Sequence, residues 1–264
     1  MLRIVPPIAC AAGFLCLLSP EALAQDPQTT KPTRVLLDSI TERGRRLAEY
    51  DWAAWHGTDA VLSEVSAPRE IRHYVAEKRG EAWVVSFGYL TESRDTFLVL
   101  YQALEDSTQP HGFRAQVHDP PWIADGFPRV AARALATAWD DFGSVKQRYN
   151  TVVLPRPDGS LYVYLMPGQT STQFYWHGGD ARYVISADGS QIIEKRRLHQ
   201  SIIQLVIPPT GAVAGVHTAI VDDVPEDTDV FYVVTRSYRL PEVVVTEHYE
   251  YHIHTDGTIQ WKER

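Results

Sequence analysis

Four polar side chains near the C-terminus, His248, Glu250, His252 and His254, stand two residues apart in the stretch TEHYEYHIHTDGTIQ. Side chains of a β-strand alternate between faces, so the even positions from Val244 to His254 share one side. The odd positions, Val243, Val245, Tyr249, Tyr251 and Ile253, share the other with Glu247. His252 and His254 would then have Cβ atoms about 7 Å apart, close enough for two imidazoles to meet one ion at about 2 Å. His248 or Glu250 would be a third ligand, and the alternative cofactor is zinc or copper. Such a strand is half a site, which His177 or His217 would have to complete. The same spacing also suits the wet face of an antiparallel strand, where every second residue must be polar.

Other segments offer chemistry of less specific kinds. FYWHGGDARY holds His177, Gly178, Gly179 and Asp180, a loop able to bring an imidazole and backbone N–H groups to a ligand, and read more simply as a β-turn. RRLHQ offers Arg196, Arg197 and His199, and with the preceding Lys195 the alternate residues Lys195, Arg197 and His199 share a strand face that would meet an anion or guard a sheet edge. DDVPEDTD supplies Asp222, Asp223, Glu226, Asp227 and Asp229, oxygen ligands of the calcium kind without the spacing of an EF-hand, and so reads as a solvated acidic loop. Tyr162, Tyr164, Phe174, Trp176 and Tyr183 fall at strand spacing, as core or as a binding wall. The candidate ligand-binding set is Tyr162, Tyr164, Trp176 and His177. G-x-S-x-G, H-E-x-x-H, G-x-G-x-x-G and the P-loop pattern do not occur.

The elements that must carry these residues change character along the chain. Arg3, an apolar run from Ile8 to Leu18 and Ala22-Leu23-Ala24 follow the order of a secretory signal over residues 1–24. Residues 25–36 read as a flexible leader, and 37–145 as an α+β half. Within it, an N-terminal helix capped at Asp38 and reaching Leu62 is marked by Leu47, Tyr50, Ala54 and Val61 on one face. Gly44 and Gly57 weaken that helix.

EIRHYVAEKR, EAWVVSFGYL, DTFLVLYQALE and GFRAQVHDPP then make an antiparallel meander, the last strand ended by Pro120 and Pro121. FPRVAARALATAWDDFG is a second helix with Pro128 at its start and Gly143 at its C-cap. Residues 146–264 carry strand signals only, with hairpins at Asp158-Gly159, Asp188-Gly189 and Asp256-Gly257. The fold class is therefore α+β, an all-β half following the mixed one, either as two domains or as one continuous one.

Composition narrows function further. At 264 residues, 44% hydrophobic and 11% aromatic, the chain can bury a core without staples. Both cysteines, Cys10 and Cys16, fall within the signal, so a processed chain carries no thiol. The net charge of −8 and the lack of a basic run argue against nucleic acid. No segment after the signal is apolar over the roughly 18 residues of a membrane span. The sequence thus leads to an exported periplasmic or secreted protein, a non-catalytic binding or accessory module with an envelope or extracellular partner and no cofactor. The alternative is a metal-binding protein or metal-dependent hydrolase using the His-x-His strand.

Overall fold

A computed structural model describes residues 31–264 except 67, 110, 172, 207, 209 and 210; the signal reading and the first half of the leader, 25–30, lie outside the described residues. In chain order the elements are α1 (Arg34–Glu64), β1 (His73–Arg79), β2 (Ala82–Leu90), β3 (Phe97–Glu105), β4 (Phe113–Ala124), α2 (Phe127–Phe142), β5 (Tyr149–Pro155), β6 (Leu161–Pro167), β7 (Phe174–His177), β8 (Ala181–Ile185), β9 (Ile192–Arg197), β10 (Ile203–Val206), β11 (Gly215–Thr218), α3 (Asp227–Thr235), β12 (Glu242–Val245), β13 (Tyr249–Ile253) and β14 (Ile259–Glu263). The fold is α+β, with an N-terminal helix and a β-rich remainder. Among the described residues no helix is long and apolar enough to cross a membrane.

Helix α1 starts at Arg34, five residues earlier than a cap at Asp38 would set it, because Thr33 caps it: its Oγ1 accepts from the Leu36 N–H at 3.2 Å. Asp38 lies inside the helix and pairs with Arg34 one turn back. The early start adds Leu37 to the apolar stripe, which Ile40 also joins; both are buried. Gly44 and Gly57 are contact points. A Cβ on Gly44 would stand 2.5 Å from Val230 Cβ and 2.7 Å from the Asp227 carbonyl oxygen, and one on Gly57 would stand 2.9 Å from Val85. Alanine's higher helix propensity at these two positions would be outweighed by overlap with α3 and β2.

The meander β1-β2-β3-β4 forms as its alternation requires. Strand β4 does not end at Pro120 but passes through both prolines. It is an edge strand, and the pairing with β3 jumps from Tyr101↔Val117 to Val99↔Trp122, so residues 118–121 bulge where missing N–H groups cost little. A second antiparallel sheet runs β5-β6-β8-β9, a two-stranded sheet pairs β7 with β10, and a fourth runs β11-β12-β13-β14 with β11 and β12 parallel.

The three Asp-Gly pairs do close hairpins, with φ of 84°, 78° and 85° at Gly159, Gly189 and Gly257. Their loops are longer than two residues. Each Asp carboxylate accepts the N–H of Ser160, Ser190 or Thr258, which adds an Asx turn to the connection.

Helices α1 and α2 bury their stripes against both the first and second sheets. Leu47, Tyr50 and Val61 meet Val85, Phe87 and Leu100 together with Val152, Tyr164 and Met166. Ala131, Ala134, Leu135 and Ala138 meet Phe97, Val99, Val163, Leu165 and Ile185. A third cluster joins Leu37 and Ile40 to Val230, Val233, Val244, Tyr251 and Ile253.

The second half is not all strand. DDVPEDTD leads into α3, and its acids are buried: Asp223, Glu226, Asp227 and Asp229 are each at most 5% exposed. A loop reading failed because carboxylates need water only when no cations are at hand, and here each has a partner. Asp227 accepts from Arg43 Nε at 2.8 Å, Arg182 Nη1 at 2.7 Å and the Tyr164 hydroxyl at 2.7 Å, while Glu226 pairs with Arg196. Acids in the first turn also complement the helix dipole.

Candidate metal centre

The last of these acids, Asp229, faces three histidines. His177 closes β7, His199 follows β9 by two residues, His217 lies in β11, and Asp229 is in the first turn of α3. Asp229 Oδ1 stands 3.1 Å from His199 Nε2, 3.2 Å from His217 Nε2 and 3.5 Å from His177 Nε2. All four ligand atoms lie within 4.8 Å of one another, the one such convergence of His, Cys, Asp or Glu among the described residues. Four ligands at about 2.0–2.1 Å from a tetrahedral ion stand about 3.3 Å apart, so the carboxylate-to-imidazole spacing already matches a coordination shell.

Local structure explains each placement. The parallel register sets His217 opposite Val244 and Gly215 opposite Glu242, so Glu242 lies on the same face as His217 and accepts from its Nδ1 at 3.0 Å. Asp180, just before β8, accepts from His199 Nδ1 at 2.8 Å, and the Asp180 carbonyl takes the Leu198 N–H beside it. Both imidazoles are thereby turned to present Nε2 to the centre, the arrangement by which carboxylates orient metal-ligating histidines. The Gly178-Gly179 turn permits the approach from β7, since a Cβ on Gly178 would meet the Ser201 carbonyl oxygen at 2.3 Å. Gly178 and Gly179 both have positive φ, 77° and 71°, the unusual backbone that the turn reading assigns to them.

His177 Nε2 and His217 Nε2 are buried and have no hydrogen-bond partner among the described residues. In a folded interior such atoms are rare unless something else engages them. Electrostatics divides the three rings. Burial pulls His199 down, but Asp180 and Asp229 outweigh it and hold the ring well above an ordinary histidine. His217 behaves alike, burial being overcome by Asp229 and Glu242 and the pKa raised to about 9. Burial, with the charge of His199 and His217, lowers His177 to about 3. Asp229, despite burial, is held far below the carboxylate range by His199 and His217.

No family model matches the chain, and no match was found among curated proteins. Among solved structures, a GH43_1 enzyme from Xanthomonas citri complexed with xylotriose aligns with 75% of this chain and 52% of that chain, at 15% identity and a TM-score of 0.18. The chain thus spans about half the length of that enzyme. A likeness so slight carries neither fold nor activity across.

The strand that opened the sequence reading has the expected alternation: Tyr249, Tyr251 and Ile253 are buried and the residues between them are not. Its polar side chains are engaged separately. His248 donates from Nδ1 to Asp223 Oδ2 at 2.6 Å, and His252 bonds its strand neighbour Glu250 at 2.7 Å, which Lys262 also reaches. The side chains of His248 and His252 are 49% and 43% exposed. His254 Nε2 is buried without a hydrogen-bond partner among the described residues, and none of the four joins the cluster around Asp229.

Of the proposed binding wall, Trp176 and His177 line a small cavity beside Asp229. Tyr164 is fully buried on Asp227, and Tyr162 is stacked under Arg156 and Arg182 at 4.8 and 5.3 Å. Lys195 bonds Asp141, away from His199, and Arg196 turns to Asp222 and Glu226. Every member of the cluster is named in the sequence, His177, His199 and Asp229 in three separate motifs and His217 only as a residue that would complete the C-terminal strand. No spacing rule links positions 177, 199, 217 and 229.

Proposed function

We propose that this chain is an exported metal-binding protein of the cell envelope, holding one divalent transition-metal ion between His177, His199, His217 and Asp229. The observation that carries the reading is the meeting of three buried imidazole Nε2 atoms at one carboxylate oxygen, two of them without a hydrogen-bond partner among the described residues. Three imidazoles and one carboxylate, with no thiolate, suit zinc, copper(II), nickel or iron(II) better than calcium or copper(I).

Charge supports the same assignment. Around the centre Asp180, Asp229 and Glu242 supply three negative charges, matched without a metal by Arg236 and the cationic rings of His199 and His217. A divalent ion taken up with loss of those two protons leaves the balance unchanged, so binding needs no new counter-charge.

Structurally the ion would tie β7, the segment after β9, β11 and α3 together. In a chain whose cysteines both lie in the signal-like segment, it would do the work a disulfide does elsewhere. The signal-like N-terminus supports the export part of the reading.

The test is metal analysis of the chain from Gln25 to Arg264, purified and then dialysed against zinc, beside a His199→Ala/His217→Ala variant. About one tightly held ion per native chain and none in the variant is the expected result. A native chain that holds no zinc, copper, nickel or iron at micromolar free concentrations would end the proposal.

A further inference from the structure

The four protein ligands do not enclose the centre evenly. His199 and His217 have carboxylates on their outer nitrogens, whereas His177 has none among the described residues. On that side lies a cavity whose lining includes His177, Asp229, Arg236, Trp176, Leu205 and Tyr238. Its space for water centres is about 10 Å³, which is one water's worth. Of the three histidines, it is lined by His177 alone.

Two further features point to a ligand there. Arg236, with a side chain only 5% exposed, gives Nη1 to Glu242 at 2.7 Å and Nη2 to the Leu240 carbonyl, yet its Nε is buried without a partner among the described residues. Asp229 Oδ2 accepts the Glu226 N–H at 2.8 Å, so the carboxylate turns Oδ1 to the imidazoles and a bidentate grip on the ion would compete with that hydrogen bond. An ion at the centre therefore has protein on four sides and, on the His177 side, a water-sized space with a mostly apolar wall that His177, Asp229 and Arg236 interrupt.

We infer that the ion keeps one coordination position open to an exogenous ligand in this cavity: water, exchangeable for a small anion, bounded by His177, Asp229 and Arg236. This rests on the metal-binding reading and deepens it, because a centre with an exchangeable position is a Lewis acid that can act on a bound molecule, whereas a closed one is a staple. The cavity admits ligands of only a few atoms while Trp176, Leu205 and Tyr238 stay where they are.

Cobalt(II)-loaded full-length mature chain titrated with azide and followed by visible absorption tests the inference. Metal analysis of the same samples reports separately whether the ion is held. Native protein should show a saturable one-site spectral change. Leu205→Trp, which fills the cavity from β10, should keep its cobalt and lose the response. Arg236→Lys, which retains a charge for Glu242 but lacks Nε, should bind azide about tenfold more weakly. Cobalt held at one per chain with a spectrum indifferent to azide overturns the open position and leaves the metal site standing. Failure to hold cobalt or zinc removes both. An azide response undiminished in Leu205→Trp places the ligand outside this cavity and also overturns the inference.

Discussion

The Glu226 backbone N–H donates to Asp229 Oδ2 at 2.8 Å, so the carboxylate that caps the first turn of α3 is the one that meets three imidazoles through its other oxygen. Helix start and candidate centre are one object. Next to it, Asp227 anchors the same turn to Arg43 of α1 and to Arg182 of β8.

Asp229→Ala should therefore lose more than a ligand. With the ion stripped by chelator, the variant leaves the buried cations of His199 and His217 short of a counter-charge, a loss of about 3–5 kcal/mol. Urea unfolding in chelator reads it. Native and variant chains equally stable under those conditions would show that the cluster carries no such charge.

The carboxylates behind the imidazoles should matter through orientation. Asp180→Asn and Glu242→Gln are expected to lower zinc affinity by about 10–100-fold in competition with a chromophoric chelator. Gly215→Ala should act in the same direction, because its Cβ would lie 2.1 Å from Glu242 Oε2 and must displace that carboxylate. Affinities unchanged in all three would show that the rings need no such support.

His252→Ala/His254→Ala should leave metal content at the native value. His252 is half-exposed and spent on Glu250, so the double variant should also unfold within about 1 kcal/mol of native. Loss of the ion in this variant would return the site to the C-terminal strand.

Asp227→Ala should destabilise the fold strongly whether or not an ion is present. It strands Arg43 and Arg182, both mostly buried, and costs about 3–5 kcal/mol. The exposed Arg34–Asp38 pair is the contrast, and Asp38→Ala should change stability by about 0.5 kcal/mol or less. Denaturant midpoints of the two variants decide whether burial sets the difference.

Asp51 gives a pH signature apart from the centre. Burial raises its pKa to about 6 against the opposing hydrogen bond from Asn150. The fold disfavours the ionised form, so the penalty is absent below about pH 4, grows between about 4 and 6, and stays constant above, at about 2–3 kcal/mol. Asp51→Asn should remove it, and the gain over native protein should appear only as pH rises through that window. A gain of the same size at pH 4 and pH 7 would mean that the carboxyl is not perturbed.

Local pattern alone determined much of this protein. Period-two alternation in Tyr249, Tyr251 and Ile253, the stripe of Leu47, Tyr50, Ala54 and Val61, and the Asp-Gly turns are each written within a few residues, because strand, helix and turn are governed by neighbours in the chain. Helix α3 escaped that reading. Its acids signal solvent unless Arg43, Arg182 and Arg196 are known to surround them, and those cations come from α1, β8 and β9.

The centre is the clearest case of what only tertiary structure decided. His177, His199, His217 and Asp229 are four ordinary candidates until the β7 turn, the end of β9, the parallel register of β11 and β12, and the first turn of α3 bring them to one point. A convergence of side chains from distant segments is a property of packing, and it has no period in the sequence for a local rule to find.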